Sequence, residues 1–369
     1  MGDQHLDAIV SAEREKTRGS HRPRHYAGRV TLLATHHPHT DHVVLPLPEF
    51  RLHPGEPLGA GLQRLSLSEM ENAVSGFYDG EEAFGEAVHT ARKSTKKIRA
   101  LLRLVRFEVG EKVYRFENES MRDTARLISG VRSAAVLVNA VDDIQALYGS
   151  LLAEGTFEET RERLMVNRAR VEARAMEDPE LVPRVVANLE RAHSRYASWP
   201  SDPQAREVYG IGIRDSYATI GPGLKATYRR GRDEMVMAYQ TPSPATFHRW
   251  RKRVKYLKHQ MEIITPLWPE VVLGMVITLD RMAELLGEDH DLAELLETLS
   301  ARPDLCPNPV ERSLLRALAE QRRSDVETAS RILGRRIYAE SPAALKGRFG
   351  AYWESMELAR GFALALNGH

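Results

Sequence analysis

Cysteine and long apolar runs are scarce in this chain of 369 residues, and each absence excludes a class of function. Cys306 is the only cysteine, so neither an intrachain disulfide nor a thiolate-rich metal site can form, and a reducing compartment is expected. No apolar run approaches the ~20 residues that span a bilayer. The first residues also lack the basic-then-apolar layout of a secretory signal, so we expect a cytoplasmic protein.

Acidic residues are missing from two stretches of the chain. The net charge is only +1, from 52 Lys and Arg against 51 Asp and Glu. Residues 88–106 nevertheless contain seven basic residues and no acidic one, and residues 247–259 contain six basic residues and again no acidic one. The remainder of the chain is therefore net negative by about 12 charges. Positive charge that is segregated in this way is typical of a surface that binds a polyanion.

Strand-like alternation is also rare, and the pattern predicts an all-α protein. From Leu62 onward, apolar residues recur at three- and four-residue spacing. Breaks between helices are predicted where Gly and Pro cluster, near 110, 155 and 178 and at 198–204, 242–244, 301–309 and 340–342. The break at 198–204 divides the body into two similar halves, 50–200 and 201–369. Residues 1–49, rich in His, Pro and Gly, are predicted to form a largely disordered tail.

The two acid-free stretches align with each other without a gap. They read VHTARKSTKKIRALLRL at 88–104 and FHRWRKRVKYLKHQMEI at 247–263. His89 matches His248, and the following basic positions match as well. An internal repeat of this length indicates a duplicated helical unit.

Each repeated helix is predicted to have one apolar face and one cationic face, at ~100° per residue. No acidic residue within these stretches relieves the charge at i±4. Arg donates bidentately and Lys supplies compact charge, so such a face suits a ligand with many phosphate oxygens. The candidate binding residues are His89, Arg92, Lys93, Lys96, Lys97, Arg99 and Arg103 in the first helix and His248, Arg251, Lys252, Lys255, Tyr256 and Lys258 in the second, where His259 lies on the same stripe.

Further basic positions could extend this surface, although ordinary surface charge is the alternative for each of them. They are Arg122, Arg126 and Arg132 in one segment and Lys225, Tyr228, Arg229 and Arg232 in another. Asp289, His290 and Asp291 could form an acid and base pair. Because they follow Gly287, we favour a role in helix capping or orientation, and we keep His290 as a binding candidate.

The tail contains a sequence that is similar to a metal signature. His37, His39, Asp41 and His42 reproduce the HxHxDH pattern of metallo-β-lactamase-like hydrolases. The strands that such a fold requires are missing from the helical pattern that follows. We therefore predict no metal site or other cofactor, and adventitious binding of zinc or nickel by the histidines is the alternative.

The two basic helices and the segments around them resemble the CHAD family, the conserved histidine α-helical domain. The His-x-x-Arg-Lys-x-x-Lys pattern at His89 and His248 is the specific part, and supporting segments run in family order from Phe50 to the C-terminus. The resemblance implies an all-α fold of two pseudo-symmetric helical bundles, of roughly four helices each, that arose by internal duplication and enclose a basic central channel or surface. It also implies that this surface binds inorganic polyphosphate and that the protein associates with polyphosphate granules and their proteins. By the same resemblance, His89, Arg92, Lys93, Lys96, His248, Arg251, Lys252 and Lys255 would contact phosphate.

The chain also departs from the family pattern. Ser133 follows Arg132 where the family often has aspartate, so we expect the second half to be the better-formed one. Many relatives carry a triphosphate-hydrolase domain of the CYTH type, which residues 1–49 could not supply, so enzyme activity is not implied.

Three hypotheses follow from the sequence. The leading one is non-catalytic binding of polyphosphate. A second is nucleic-acid binding, which is less favoured because only Tyr256 is placed to stack on bases. A third is a metal-dependent phosphohydrolase that uses the tail histidines or the cluster at Asp289–Asp291.

Overall fold

The computed structural model describes residues 46–78, 84–199 and 212–367, and within these ranges it contains twelve α-helices and no strand. The all-α prediction is therefore confirmed for the described chain. The predicted disordered tail lies outside the described residues, except for its last four positions. No helix in the described ranges is both long and apolar enough to cross a membrane.

The first half of the chain forms a four-helix ring with a helical hairpin attached. In the ring, α1 packs on α2 and α7, and α4 also packs on α2 and α7. The hairpin consists of α5 and α6, which pack on each other. The helices are α1 (Leu58–Ser75), α2 (Phe84–Leu104), α3 (Arg106–Val109), α4 (Glu111–Leu127), α5 (Ser129–Tyr148), α6 (Glu158–Met176) and α7 (Leu181–Ala197).

The second half repeats this order of contacts if one long helix takes the place of α4 and α5. Here α8 packs on α9 and α12, α9 packs on α10, and α10 packs on α11. The common contact order agrees with two related bundles, while their origin by duplication stays a prediction. The helices are α8 (Tyr217–Gln240), α9 (Pro244–Ile263), α10 (Pro269–Ala301), α11 (Pro309–Ile337) and α12 (Pro342–Asn367).

Helix boundaries fall where Gly and Pro predicted them. Gly110 adopts a φ of 83° between α3 and α4, a conformation that side chains other than glycine rarely reach. Pro244 is the first residue of α9, and the Ser243 side chain closes a capping box with Thr246. The predicted helix end after Gly287 is wrong, because Gly287 lies inside α10, a continuous helix of 33 residues.

The two halves share one apolar core. Ile98 and Leu101 of α2 and Trp250 and Leu257 of α9 are fully buried in the same cluster. A buried hydrogen bond of 3.0 Å, from Gln260 Nε2 to the carbonyl of Ala100, also joins α9 to α2. A second, smaller cluster lies between the hairpin, the end of α10 and the start of α11. The shared core fixes α2 against α9 and so determines how their polar faces meet.

Gly223 of α8 lies directly against the backbone of the first half. A Cβ atom at this position would lie 2.0 Å from the carbonyl oxygen of Leu104 and 2.5 Å from that of Arg103, at the end of α2. Neither backbone oxygen can rotate away. Only glycine therefore permits this approach.

We expect Gly223→Ala to lower the free energy of unfolding by ~2 kcal/mol or more, because overpacked cores typically lose 1–3 kcal/mol. Urea denaturation followed by circular dichroism measures this change. Gly274→Ala is the matched control, since a Cβ there meets no atom within 4 Å and the residue is an exposed part of α10. That control should gain about 0.5–1 kcal/mol from helix propensity; equal stability of the two variants would contradict the proposed contact.

Candidate functional site: a cationic seam between the halves

The polar faces of α2 and α9 meet in a group of basic residues that we call the cationic seam. It consists of Lys96, Arg99 and Arg103 from α2 and His248, Arg251 and Lys252 from α9. Tyr256 of α9 lies between the two helices, with its ring centroid 3.9 Å from the Arg103 guanidinium and 5.9 Å from that of Arg99. The two halves of the chain thus contribute to a single site.

The seam concentrates positive charge strongly enough to shift the pKa values of its members. Burial, followed by the charges of Lys252, Arg251 and Lys96, lowers the pKa of His248 to about 4. Burial also lowers the pKa of Lys252, and the charges of Arg253 and Arg99 add to the effect. Each charged form is disfavoured by its neighbours. A bound anion would reverse that effect.

The ring of Tyr256 packs against the arginines of the seam. Its side chain is only 5% exposed and is covered by the Arg103 guanidinium, in a cation–π contact. Arg103 is further held by a hydrogen bond of 2.6 Å from its Nη1 to the carbonyl of Arg99. The ring therefore orients an arginine, and a direct contact between Tyr256 and a ligand stays a prediction.

Helix α10 closes one end of the seam. The imidazole of His290 lies 4.2 Å from that of His248, centroid to centroid. The guanidinium of Arg251 lies beside Gly287, about 3.5 Å from where a Cβ atom would be. Asp289 is buried and accepts a hydrogen bond of 2.9 Å from Arg323 Nε. The cluster at 289–291 therefore does not cap a helix; it lies inside α10 and faces the seam and α11.

Some expected phosphate-binding residues are instead paired with carboxylates inside the fold. Lys97 forms an ion pair of 2.5 Å with Glu69, which also accepts a hydrogen bond from Ser94. Lys258 pairs with Asp280 and lies 3.5 Å from Glu262. The expectation that no acid at i±4 relieves the charge is wrong for Lys258, whereas Lys97 pairs with an acid 28 residues away in the sequence.

The sequence prediction placed His259 and Tyr228 on the cationic surface, whereas both side chains are buried. His259 is only 6% exposed, and its Nδ1 lies 2.6 Å from Glu262. Tyr228 is fully buried, and its hydroxyl group donates to the carbonyl of Ile337 at 2.9 Å. Both side chains belong to the core, because α8 and α9 each pack on two or more helices.

The remaining candidates lie outside the seam as defined. Arg122 and Arg126 both pair with Asp123 on the surface of α4, at 2.9 and 3.2 Å, which favours ordinary surface charge. Three of them, His89, Lys93 and Arg229, are exposed, and Lys225 and Lys255 are half-buried. Arg92 Nη1 donates to the carbonyl of Ala125 at 2.9 Å. Arg232 Nη1 lies 3.5 Å from the carbonyl of Glu340. The side chain of Arg132 is not among those described.

Arg253 is a residue of the site that the sequence prediction missed. Its charge lowers the pKa of both Lys252 and Arg103, while its Nη2 lies 3.7 Å from Glu234 of α8. Arg253 belongs to the same acid-free run, but it lies off the predicted stripe. Counting charge in the whole run would have included it.

The metal candidates His37, His39, Asp41 and His42 lie outside the described residues. Within the described ranges, no group of three or more His, Cys, Asp or Glu side chains could hold a metal ion.

We expect the imidazole of His248 to titrate with a pKa of about 4, measured from its ring resonances by NMR. Lys252→Gln should raise this pKa by on the order of half a unit, because a neighbouring positive charge is removed. Lys346→Gln on α12 is the control and should leave it unchanged. Because the folded pKa is below the ordinary 6.5, the stability that His248 contributes is present above pH 6.5 and is lost as the pH falls towards 4. A pKa near 6.5 would contradict the electrostatic description.

The chain matches the family model of the CHAD domain over residues 64–300, a range that contains every residue of the seam. A comparison with curated proteins gives no significant match. The family match covers more than half of the chain, includes both basic helices and agrees with the all-α fold. The chain therefore belongs to the CHAD domain family.

Proposed function

We propose that this protein binds inorganic polyphosphate at the cationic seam, without catalysis. One observation carries the proposal: like charges from both halves are held together so closely that burial and mutual repulsion lower the pKa of His248 and Lys252. A chain of phosphates would relieve this repulsion along its whole length. Membership of the CHAD domain family, which is associated with polyphosphate binding, supports the same ligand.

Polyphosphate fits the seam better than nucleic acid does. Proteins that bind single strands without sequence preference combine a positive groove with aromatic rings on which bases stack. Tyr256 is the aromatic residue of the seam, and Arg103 covers its ring. The site therefore offers charge for phosphates, while its tyrosine ring is covered by an arginine.

Binding without hydrolysis is the activity that we propose. Asp289 was a candidate acid or base, but its side chain is buried and bound to Arg323 at 2.9 Å. As part of the same proposal, the protein is cytoplasmic and associates with polyphosphate granules.

The triple variant Lys96→Glu, Arg99→Glu, Lys252→Glu should lose affinity for long-chain polyphosphate by ~100-fold or more, since each charged hydrogen bond contributes about 1.5–3 kcal/mol. Isothermal titration calorimetry at fixed salt measures the loss. The control variant Arg184→Glu, Arg191→Glu, Arg335→Glu makes the same change of charge on exposed positions of α7 and α11. Circular dichroism establishes that both variants are folded. Equal affinities for the two folded variants would refute binding at the seam.

Competition distinguishes the ligand classes. At equal phosphate concentration, single-stranded RNA should fail to displace labelled polyphosphate, because its bases find no stacking surface. Affinity for polyphosphate should also fall with added salt, with a slope of roughly −0.7 in log K per neutralised phosphate, if the ligand behaves like a single strand. Efficient displacement by RNA would favour nucleic-acid binding instead, and release of inorganic phosphate from the bound polymer would contradict binding without hydrolysis.

A further inference from the structure

Two carboxyl groups, one buried and one half-buried, lie next to each other where α10 packs on α11. Asp289 of α10 is only 1% exposed, and Glu327 of α11 lies next to it. The Arg323 guanidinium bonds to both, with Nε 2.9 Å from Asp289 Oδ1 and Nη2 3.4 Å from Glu327 Oε1. Two carboxylates thus share one guanidinium.

Arg251 connects this carboxyl pair to the seam. It lies beside Gly287, two residues before Asp289, and its charge acts on the Asp289 carboxyl. Arg251 is therefore the seam cation that also compensates the pair. Its positive charge would therefore interact with a bound anion and with the carboxylates at the same time.

The other groups around the pair are already bonded. Tyr239 of α8 donates its hydroxyl hydrogen to the backbone carbonyl of Glu327 at 2.6 Å and stacks on Arg331. Glu288 of α10 pairs with Arg322 of α11, and Tyr148 of α5 lies near both. His290 and Asp291 follow Asp289 directly along α10, and each has an interaction partner of its own.

The carboxyl pair takes up a proton as the pH falls through about 7. Burial raises the pKa of Glu327 to about 7, and the charge of Asp289 adds to the effect. Burial likewise raises the pKa of Asp289, against the charge of Arg323. The pair therefore carries one negative charge below pH 7 and two above it.

We propose that polyphosphate binding at the seam is coupled to uptake of a proton by the Asp289–Glu327 pair, through the charge of Arg251. The inference rests on the proposed function and adds regulation to it. A polyanion next to Arg251 offsets part of its positive charge. The ionised carboxylates are then stabilised less by Arg251. A proton from solvent then binds to a carboxylate oxygen, and the pair keeps one negative charge. By linkage, affinity rises as the pH falls through neutrality.

The test measures proton uptake and affinity with long-chain polyphosphate. Calorimetry at pH 7 in two buffers of different ionisation enthalpy gives the number of protons taken up on binding. Three full-length proteins are compared: the unchanged chain, Glu327→Gln and Glu320→Gln. Glu320 is the matched control because it is exposed on the same helix, so the loss of a negative charge there is screened.

Proton uptake should be smaller in Glu327→Gln than in the unchanged chain and in the control. The ratio of affinities at pH 6 and pH 8 should also fall by ~3-fold in Glu327→Gln, the factor that corresponds to half a pKa unit. Histidine and ligand titration are common to all three proteins, so the differences report the pair. Asp289→Asn is a second variant that removes one carboxylate of the pair. Thermal denaturation establishes which variants are folded.

Equal proton uptake in the unchanged chain, Glu327→Gln and Asp289→Asn would overturn the coupling while leaving polyphosphate binding in place. Absence of binding by the unchanged chain at every pH would instead refute the proposed function, and the coupling with it.

Discussion

The contact between α2 and α9 is the constraint on which the rest of the structure depends, because it forces two cationic faces together. Like charges at close range cost a few tenths of a kcal/mol per pair where solvent screens them. The apolar faces of the same helices bury Ile98, Leu101, Trp250 and Leu257 completely, and each such side chain contributes about 1.5–3 kcal/mol. Burial therefore outweighs repulsion. The resulting surface concentrates positive charge, although the protein as a whole is nearly neutral.

Local sequence signals predicted the helices well because helix formation here follows local rules. Gly110, Pro244 and Pro342 all lie at helix boundaries, where their backbone restrictions are favourable. Gly287 misled the prediction for a tertiary reason. Leu285, Leu286 and Leu292 around it are buried against neighbouring helices, so packing keeps α10 continuous in spite of the propensity of glycine.

The site was predicted only in part, because charge can be read along one helix but its partners cannot. The sequence identified Lys96, Arg99, Arg251 and Lys252 as a set by their spacing. It could not show that Glu69, 28 residues away, pairs with Lys97, or that Tyr228 reaches a carbonyl 109 residues away. Glu327 and Arg323 gave no local signal at all, since the cluster that they complete exists only after α11 packs on α10.

Because the seam takes its cations from both halves, it exists only while α2 and α9 are docked. A ligand that contacts both helices is then a cross-link between bundles as well as cargo, and it favours the docked state in proportion to its concentration relative to its dissociation constant. Under the proposed function, a higher concentration of polyphosphate would therefore stabilise the docked arrangement of α2 and α9.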